Sequence, residues 1–243
     1  MEKQEYLNIF QNESSHFFYV GLHDLVINFL DDITKKSRIL DAGCGTGGLL
    51  SRLKSDGFLH AEGIDLFNEA VRLAMKKGVK VRLASVEKLP YGKNLFDAVV
   101  CIDVLYHLRV KSDVVALGEL WRVLKPGGLL ILRVPANPWM KSGHDEFVHT
   151  RHRYEKGELS QKLNQVGFEI KRLTFVHAFL FLIAVVNWNK KGTASAIGLI
   201  PGWINKLMLW ELRAENLWLR KFDLPAGQGL MAIALKPNGK FRQ

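Results

Sequence analysis

The chain has little cysteine: Cys44 and Cys101 are its only two in 243 residues. Neither suggests a disulfide framework, so a reducing compartment is expected. The opening residues, Met1-Glu2-Lys3-Gln4-Glu5, lack the basic-then-apolar order of a secretion signal, and the expected location is cytoplasmic. Long apolar runs are scarce too. The best, Leu173–Trp188, is shorter than the ~20 residues a spanning helix needs and contains His177 and Asn187. There is no internal repeat and no low-complexity tract. Acidic residues are outnumbered: 34 Lys and Arg against 24 Asp and Glu give a formal net charge of +10. The basic residues fall in scattered pairs such as Lys35-Lys36 and Lys190-Lys191, with no long basic run, as on a solvated basic surface. The excess itself would suit nucleic acid, an anionic membrane surface or an acidic substrate.

With 48% hydrophobic residues the chain can bury a sizeable core, and its length suits one α/β domain spanning 1–243. Residues 5–34 read as one or two helices, placing N-terminal helices within 1–36. Strands are expected near 38–41, 60–65, 79–84, 97–102 and 128–134, alternating with helices at 47–56, 67–77 and 112–124. Apolar runs such as Ala98–Ile102 and Leu129–Leu132 are short and lack clean alternation, as in buried parallel strands. This order predicts a doubly wound parallel sheet. Further on, Glu158–Val166 is a helix stopped by Gly167, Phe168–Phe175 a sixth strand and Gly229–Lys236 a seventh. The residues between these last two are too many for a hairpin loop, so a helical insertion is expected at about 177–224. Within it, Trp203–Phe222 carries a stripe of Trp203, Leu207, Trp210, Ala214 and Leu217 at helical spacing. That face is expected to pack on the domain or a second subunit, with a lid over an apolar substrate or a membrane-surface contact as the alternatives.

Ile39-Leu40-Asp41-Ala42-Gly43-Cys44-Gly45-Thr46-Gly47-Gly48 is the most informative segment. It reads as a strand, an acid at its end, and a glycine-rich turn opening a helix. Gly43, Gly45 and Gly48 also fit the dinucleotide pattern G-x-G-x-x-G. Asp41 argues against that ligand, since a pyrophosphate is drawn to backbone N–H groups and a helix N-terminus, and a carboxylate beside them would oppose it. A cofactor with a sulfonium and an ammonium, such as S-adenosylmethionine, fits better.

Five segments in order resemble the class I S-adenosylmethionine-dependent methyltransferases: Asp41–Gly47, Gly63-Ile64-Asp65, Ser85–Tyr91, Phe96–Leu108 and Arg122–Gly128. The resemblance implies a seven-stranded Rossmann-like sheet with an antiparallel last strand, and S-adenosylmethionine as cofactor. Gly43, Cys44, Gly45 and Gly47 would pass the backbone close to its methionine half, with Asp41 orienting the turn or meeting the ammonium through water. Asp65, with Leu66 beside it, would take the ribose hydroxyls, the alternative being a helix N-cap. Ser85 stands where many relatives have an Asp for the adenine amino group, so Ser85 and Val86 are expected to hold the base. Asp103 would bind the ammonium or serve as a turn cap. Relatives often carry an arginine after an N-terminal aromatic cluster. Here His16-Phe17-Phe18-Tyr19 is followed by no arginine, and His23 is the nearest substitute.

Methyl transfer needs an aligned nucleophile, excluded water and, for some acceptors, a base. The candidates are His107 after the fourth strand, and His144 and His149 in the segment Gly143–Tyr154 after the fifth. There Asp145 could fix an imidazole tautomer, and Arg151 or Arg153 could bind an anionic acceptor. His144, Asp145, Glu146, His149 and His152 match no firm metal template, so no metal is assigned. The tryptophan-rich insertion and the His-rich segment favour a small-molecule or lipid-like acceptor, most simply methylated at oxygen, with peripheral membrane contact and a homodimer as further expectations. The charge makes RNA the alternative. Nucleic acid is disfavoured because no RNA-binding module is recognisable, and adenine N6 methylation in particular because Ile102-Asp103-Val104-Leu105 lacks the Asn/Asp-Pro-Pro-aromatic motif used for amino nitrogens of bases. A non-catalytic cofactor-binding role would need a damaged site, and the glycines and Asp65 are intact.

Overall fold

In the computed structural model, residues 3–141, 145, 149–186 and 200–238 are described. Strands β1 (Ile39–Ala42), β2 (Ala61–Asp65), β3 (Val81–Leu83), β4 (Phe96–Ile102), β5 (Leu124–Pro135), β6 (Glu169–Val176) and β7 (Gly229–Leu235) form one sheet in the order β3-β2-β1-β4-β5-β7-β6. The strands from β3 to β5 are parallel; β7 runs antiparallel to both β5 and β6. All seven expected strands are present. β5 starts earlier than expected because Leu124 pairs with Phe96, and the Lys125–Gly128 turn follows as an irregularity before regular pairing resumes at Ala98 and Leu129.

Neighbouring residues of the central strands enter opposite layers of core. Leu40, Ala42, Val99 and Cys101 pack under α5 (Asp113–Val123) and α6 (Lys156–Val166). Ile39, Ala98 and Val100 face α2 (Phe17–Phe29) and α3 (Gly48–Ser55). Both faces are therefore covered, which explains the unalternating apolar runs. A smaller cluster joins Tyr6 of α1 (Lys3–Asn12) to Ala70 and Leu73 of α4 (Asn68–Lys76). Strand order reverses between β1 and β4, and in open α/β sheets ligands bind at the carboxyl ends of the strands around such a switch point.

Helices α7 (Ala178–Val186) and α8 (Gly202–Trp218) stand between β6 and β7. The tryptophan stripe faces outward, not inward. Trp203 is 69% exposed and Trp210 70%, while Leu212, Glu215, Asn216 and Leu219 are buried. The inner face is fixed by shape and by polar ties. Gly21 of α2 has no side chain, and a Cβ there would stand 2.7 Å from Leu212 Cδ1. Asn216 Nδ2 donates to Gly21 O at 2.8 Å, and Asn205 accepts from the Phe17 amide at 2.8 Å. Helical periodicity identifies two faces, but here the polar contacts choose the buried one. Among the described residues no helix is long and apolar enough to cross a membrane.

Candidate cofactor and acceptor site

The glycine loop is pinned from below. Gly43 and Cys44 amides both donate to Ile64 O, at 2.8 and 2.9 Å. Gly43 has φ +97° and a Cβ there would lie 2.2 Å from Val104 Cγ2, so this position requires glycine. Gly45 differs: no heavy atom lies within 4 Å of its would-be Cβ, so the loop borders open space there. Cys44 turns its sulfur towards Gly63, leaving only its backbone to line the loop.

Asp65 ends β2 and is locked by backbone. Oδ2 accepts from Gly45 N and Oδ1 from Phe67 N, each at 2.9 Å. Each oxygen keeps a second lone pair for a ligand hydroxyl. Burial raises the Asp65 carboxyl, opposed by the Phe67, Gly45 and Leu66 amides. Asp41 is buried behind the loop. Its carboxyl is pushed up to about 8, by burial first, then by Asp65 and Glu13. The cradle is thus a crowd of acids, suited to a cation and hostile to a pyrophosphate.

The N-terminal helices cover this crowd. Glu13, in the turn between α1 and α2, accepts from Thr46 Oγ1 at 2.5 Å and pairs with Lys77. Tyr6 packs on Phe67, ring centroids 5.8 Å apart, and its hydroxyl is raised by burial and by Asp65. Tyr19 is raised by burial, then by Glu13, Glu5 and Asp103. His16 caps α2, accepting from Phe18 N at 3.3 Å. His23 is held neutral, its pKa lowered to about 4 by burial, and sits behind Gly48. Ser85 Oγ accepts from Glu87 N at 3.1 Å, shaping the turn after β3, with Val86 buried and Leu66 exposed.

Asp103 follows β4 with φ +58° and pairs with Arg133 of β5. Arg133 also reaches His177 Nδ1 at 3.1 Å, and the His177 and Ala178 amides donate to Glu215 of α8 at 2.5 and 2.7 Å. Arg133, His177, Glu13 and Tyr6 were not singled out from the sequence as site residues, and Tyr19 only as part of the aromatic cluster at 16–19. The available signals were one arginine in the apolar run Leu129–Val134 and one histidine in the run after Leu173.

On the acceptor side the post-β4 and post-β5 segments are laced together: Leu108 N donates to His149 O at 3.0 Å and Arg151 N to Tyr106 O at 2.8 Å. His107 and His149 rings lie 5.8 Å apart, and Phe67 stands 5.7 Å from His107. His107 Nδ1 accepts from Arg109 N at 3.1 Å, so Nε2 carries the proton, and this buried nitrogen has no hydrogen-bond partner among the described residues. Burial lowers the His107 pKa to about 4. His144 lies outside the described residues. Asp145 accepts from Arg153 Nε at 2.9 Å, and Arg153 also donates to Ala136 O. Arg151 lies 3.9 Å from Asp113, and His152 2.8 Å from Glu158. Much of the expected polar cluster therefore ties the segment to the domain. Among the described residues no group of three His, Cys, Asp or Glu is placed to hold a metal.

A seven-stranded sheet in this order, with an acid-ringed glycine loop at its switch point, defines a Rossmann-like nucleoside-cofactor protein. Residues 40–132 match the family described as methyltransferase domain. The tRNA (carboxymethyluridine(34)-5-O)-methyltransferase of Arabidopsis thaliana is 37% identical over 127 residues, 52% of this chain and 30% of that protein. A ubiquinone biosynthesis O-methyltransferase of Xylella fastidiosa (strain M23) is 34% identical over 123 residues, 46% and 49% of the two chains. Among solved structures, an S-adenosylmethionine-dependent methyltransferase from Thermotoga maritima aligns with TM-score 0.60 and 19% identity, over 97% of this chain and 100% of its own. This chain belongs to the class I S-adenosylmethionine-dependent methyltransferase family. It spans less than half the length of either of these two relatives.

Proposed function

We propose that this protein transfers a methyl group from S-adenosylmethionine to an apolar, lipid-like acceptor, at oxygen. The observation that carries the acceptor class is the all-apolar helix α7, which starts one residue after His177 at the rim of the site and has no buried side chain. Trp139, just beyond β5, meets its Phe181 with ring centroids 6.0 Å apart, so apolar surface continues from rim to helix.

S-adenosylmethionine supplies, when bound, a methyl group already activated by its sulfonium. The chain's residues hold and shield. Gly43, Cys44, Gly45 and Gly47 leave the open cradle, Asp65 offers two fixed acceptors, and Asp41 and Asp103 set a negative field. Ser85, Val86 and Leu66 flank the base. Tyr6 and Tyr19 roof the cradle and exclude water, which strengthens that field. His107 presents Nε2–H to the acceptor oxygen, and His149 takes the hydroxyl proton as general base. His144 is the alternative base.

A second reading is methylation of tRNA, favoured by the Arabidopsis relative and by the +10 charge. The test is transfer of labelled methyl to isoprenoid-tailed phenols and to tRNA transcripts side by side. The proposal expects labelled phenol, with kcat reduced about 100-fold in His149→Ala, the scale of a lost general base. Label on tRNA alone would establish the second reading.

A further inference from the structure

We infer that the outer face of α7 and α8 docks on an anionic lipid bilayer. The outer face of α8 is apolar, with Trp203, Leu207 and Trp210 69%, 55% and 70% exposed, and α7 separately exposes Leu182 and Val186, 58% and 82%. Scattered exposed apolar side chains are ordinary, but a contiguous helix face of them marks an interaction surface. Tryptophans at such a face match the headgroup level of a membrane, and α8 is an interfacial rather than a spanning helix by length and charge.

Charge selects the partner. The only carboxylates on α8 are Glu211 and Glu215; Glu215 is buried, and Glu211 keeps Oε2 out of solvent. Lys206, between Trp203 and Trp210 in the chain, and Lys221, in the turn after α8, are exposed and pair with no carboxylate among the described residues, whereas Arg213 and Arg220 pair with Asp24 and Asp31. Basic residues around an apolar face suit an anionic leaflet. A second copy would set one basic face against another. The docking does not depend on the acceptor reading, although it would bring the rim of the site to where a lipid-like acceptor resides.

The experiment is flotation with vesicles of phosphatidylglycerol and phosphatidylcholine against phosphatidylcholine alone, with tryptophan emission as a second readout. Wild type is expected to bind the anionic vesicles at least about tenfold more tightly, with a blue shift, and to release in high salt. Trp203→Ser/Trp210→Ser and Lys206→Glu/Lys221→Glu should each lose about tenfold or more, with unchanged melting temperature and unchanged S-adenosylmethionine affinity. Three outcomes would overturn the docking: wild type bound to neither vesicle, tryptophan variants bound like wild type, or a dimer or RNA complex broken by the tryptophan variants without vesicle binding. Retained cofactor affinity in those cases would leave the methyl-transfer reading standing.

Discussion

The guanidinium of Arg133 donates to Nδ1 of His177 across 3.1 Å, in a buried setting where its other arm pairs with Asp103. Burial, then Arg133 itself, holds His177 well below its ordinary pKa, so the ring is neutral and Nδ1 accepts. One side chain thus joins the cofactor edge to the start of α7.

Arg133→Met should keep the aliphatic stem and abandon both partners. A broken buried ion pair leaves an uncompensated charge, and stability is expected to fall by about 3 kcal/mol. Denaturant unfolding at neutral pH checks this. A loss well under ~1 kcal/mol would show the pair to be behaving as an exposed one.

Two glycines of the loop, on either side of Cys44, should separate fold from binding. Gly43→Ala drives a methyl into Val104 at φ +97° and is expected to lower the melting temperature clearly. Gly45→Ala meets no protein atom, so only the backbone conformation at φ +52° opposes it, by about 1–2 kcal/mol. Its methyl projects into the cradle, so this variant should fold yet bind S-adenosylmethionine at least about tenfold more weakly. Thermal melts beside calorimetry distinguish the pair.

Asp41 gives a pH signature. An unfolded Asp titrates near ~3.9, and the folded carboxyl is pushed up to about 8. The folded chain then holds a proton the unfolded chain releases. The stabilisation is complete below the unfolded value and is lost as pH rises to about 8. A cationic ligand favours the carboxylate, so cofactor binding near neutral pH should release a proton and tighten as pH rises towards the folded pKa. Binding enthalpies across buffers of different ionisation heat should show that proton in wild type and lose it in Asp41→Asn.

Glu13 should act as a clip. Glu13→Ala leaves Thr46 and Lys77 without their partner, and a loss of about 1–3 kcal/mol is expected. Hydrogen exchange should show faster opening of α1 and α2, while the sheet keeps its protection. Uniform acceleration across the domain would mean that the contact supports the whole fold rather than the cover.

The sheet and cradle were legible because their signals are local. Asp41, Gly43 and Gly45 sit within five residues, and Asp65 ends the next strand at a spacing set by one βαβ unit. Arg133 and His177 were not legible as a pair: each is a single polar residue in an apolar run, and only the antiparallel return through β7 places β6 near β5. The α8 stripe was visible, but its direction depended on Gly21, Asn216 and Glu215, whose contacts lie far off in sequence. In the polar segment after β5, the ties of Arg151 to Asp113 and of His152 to Glu158 were not legible, because these partners meet only in the fold.

The most direct test of the cofactor site is calorimetric titration of wild type and Asp65→Ala with S-adenosylmethionine and S-adenosylhomocysteine. Asp65 fixes the Gly45 and Phe67 amides and leaves acceptors for a ribose, so the account predicts micromolar binding weakened about 100-fold in the variant. Well-folded wild type that binds neither ligand, or an Asp65→Ala variant that binds both unchanged, would contradict it.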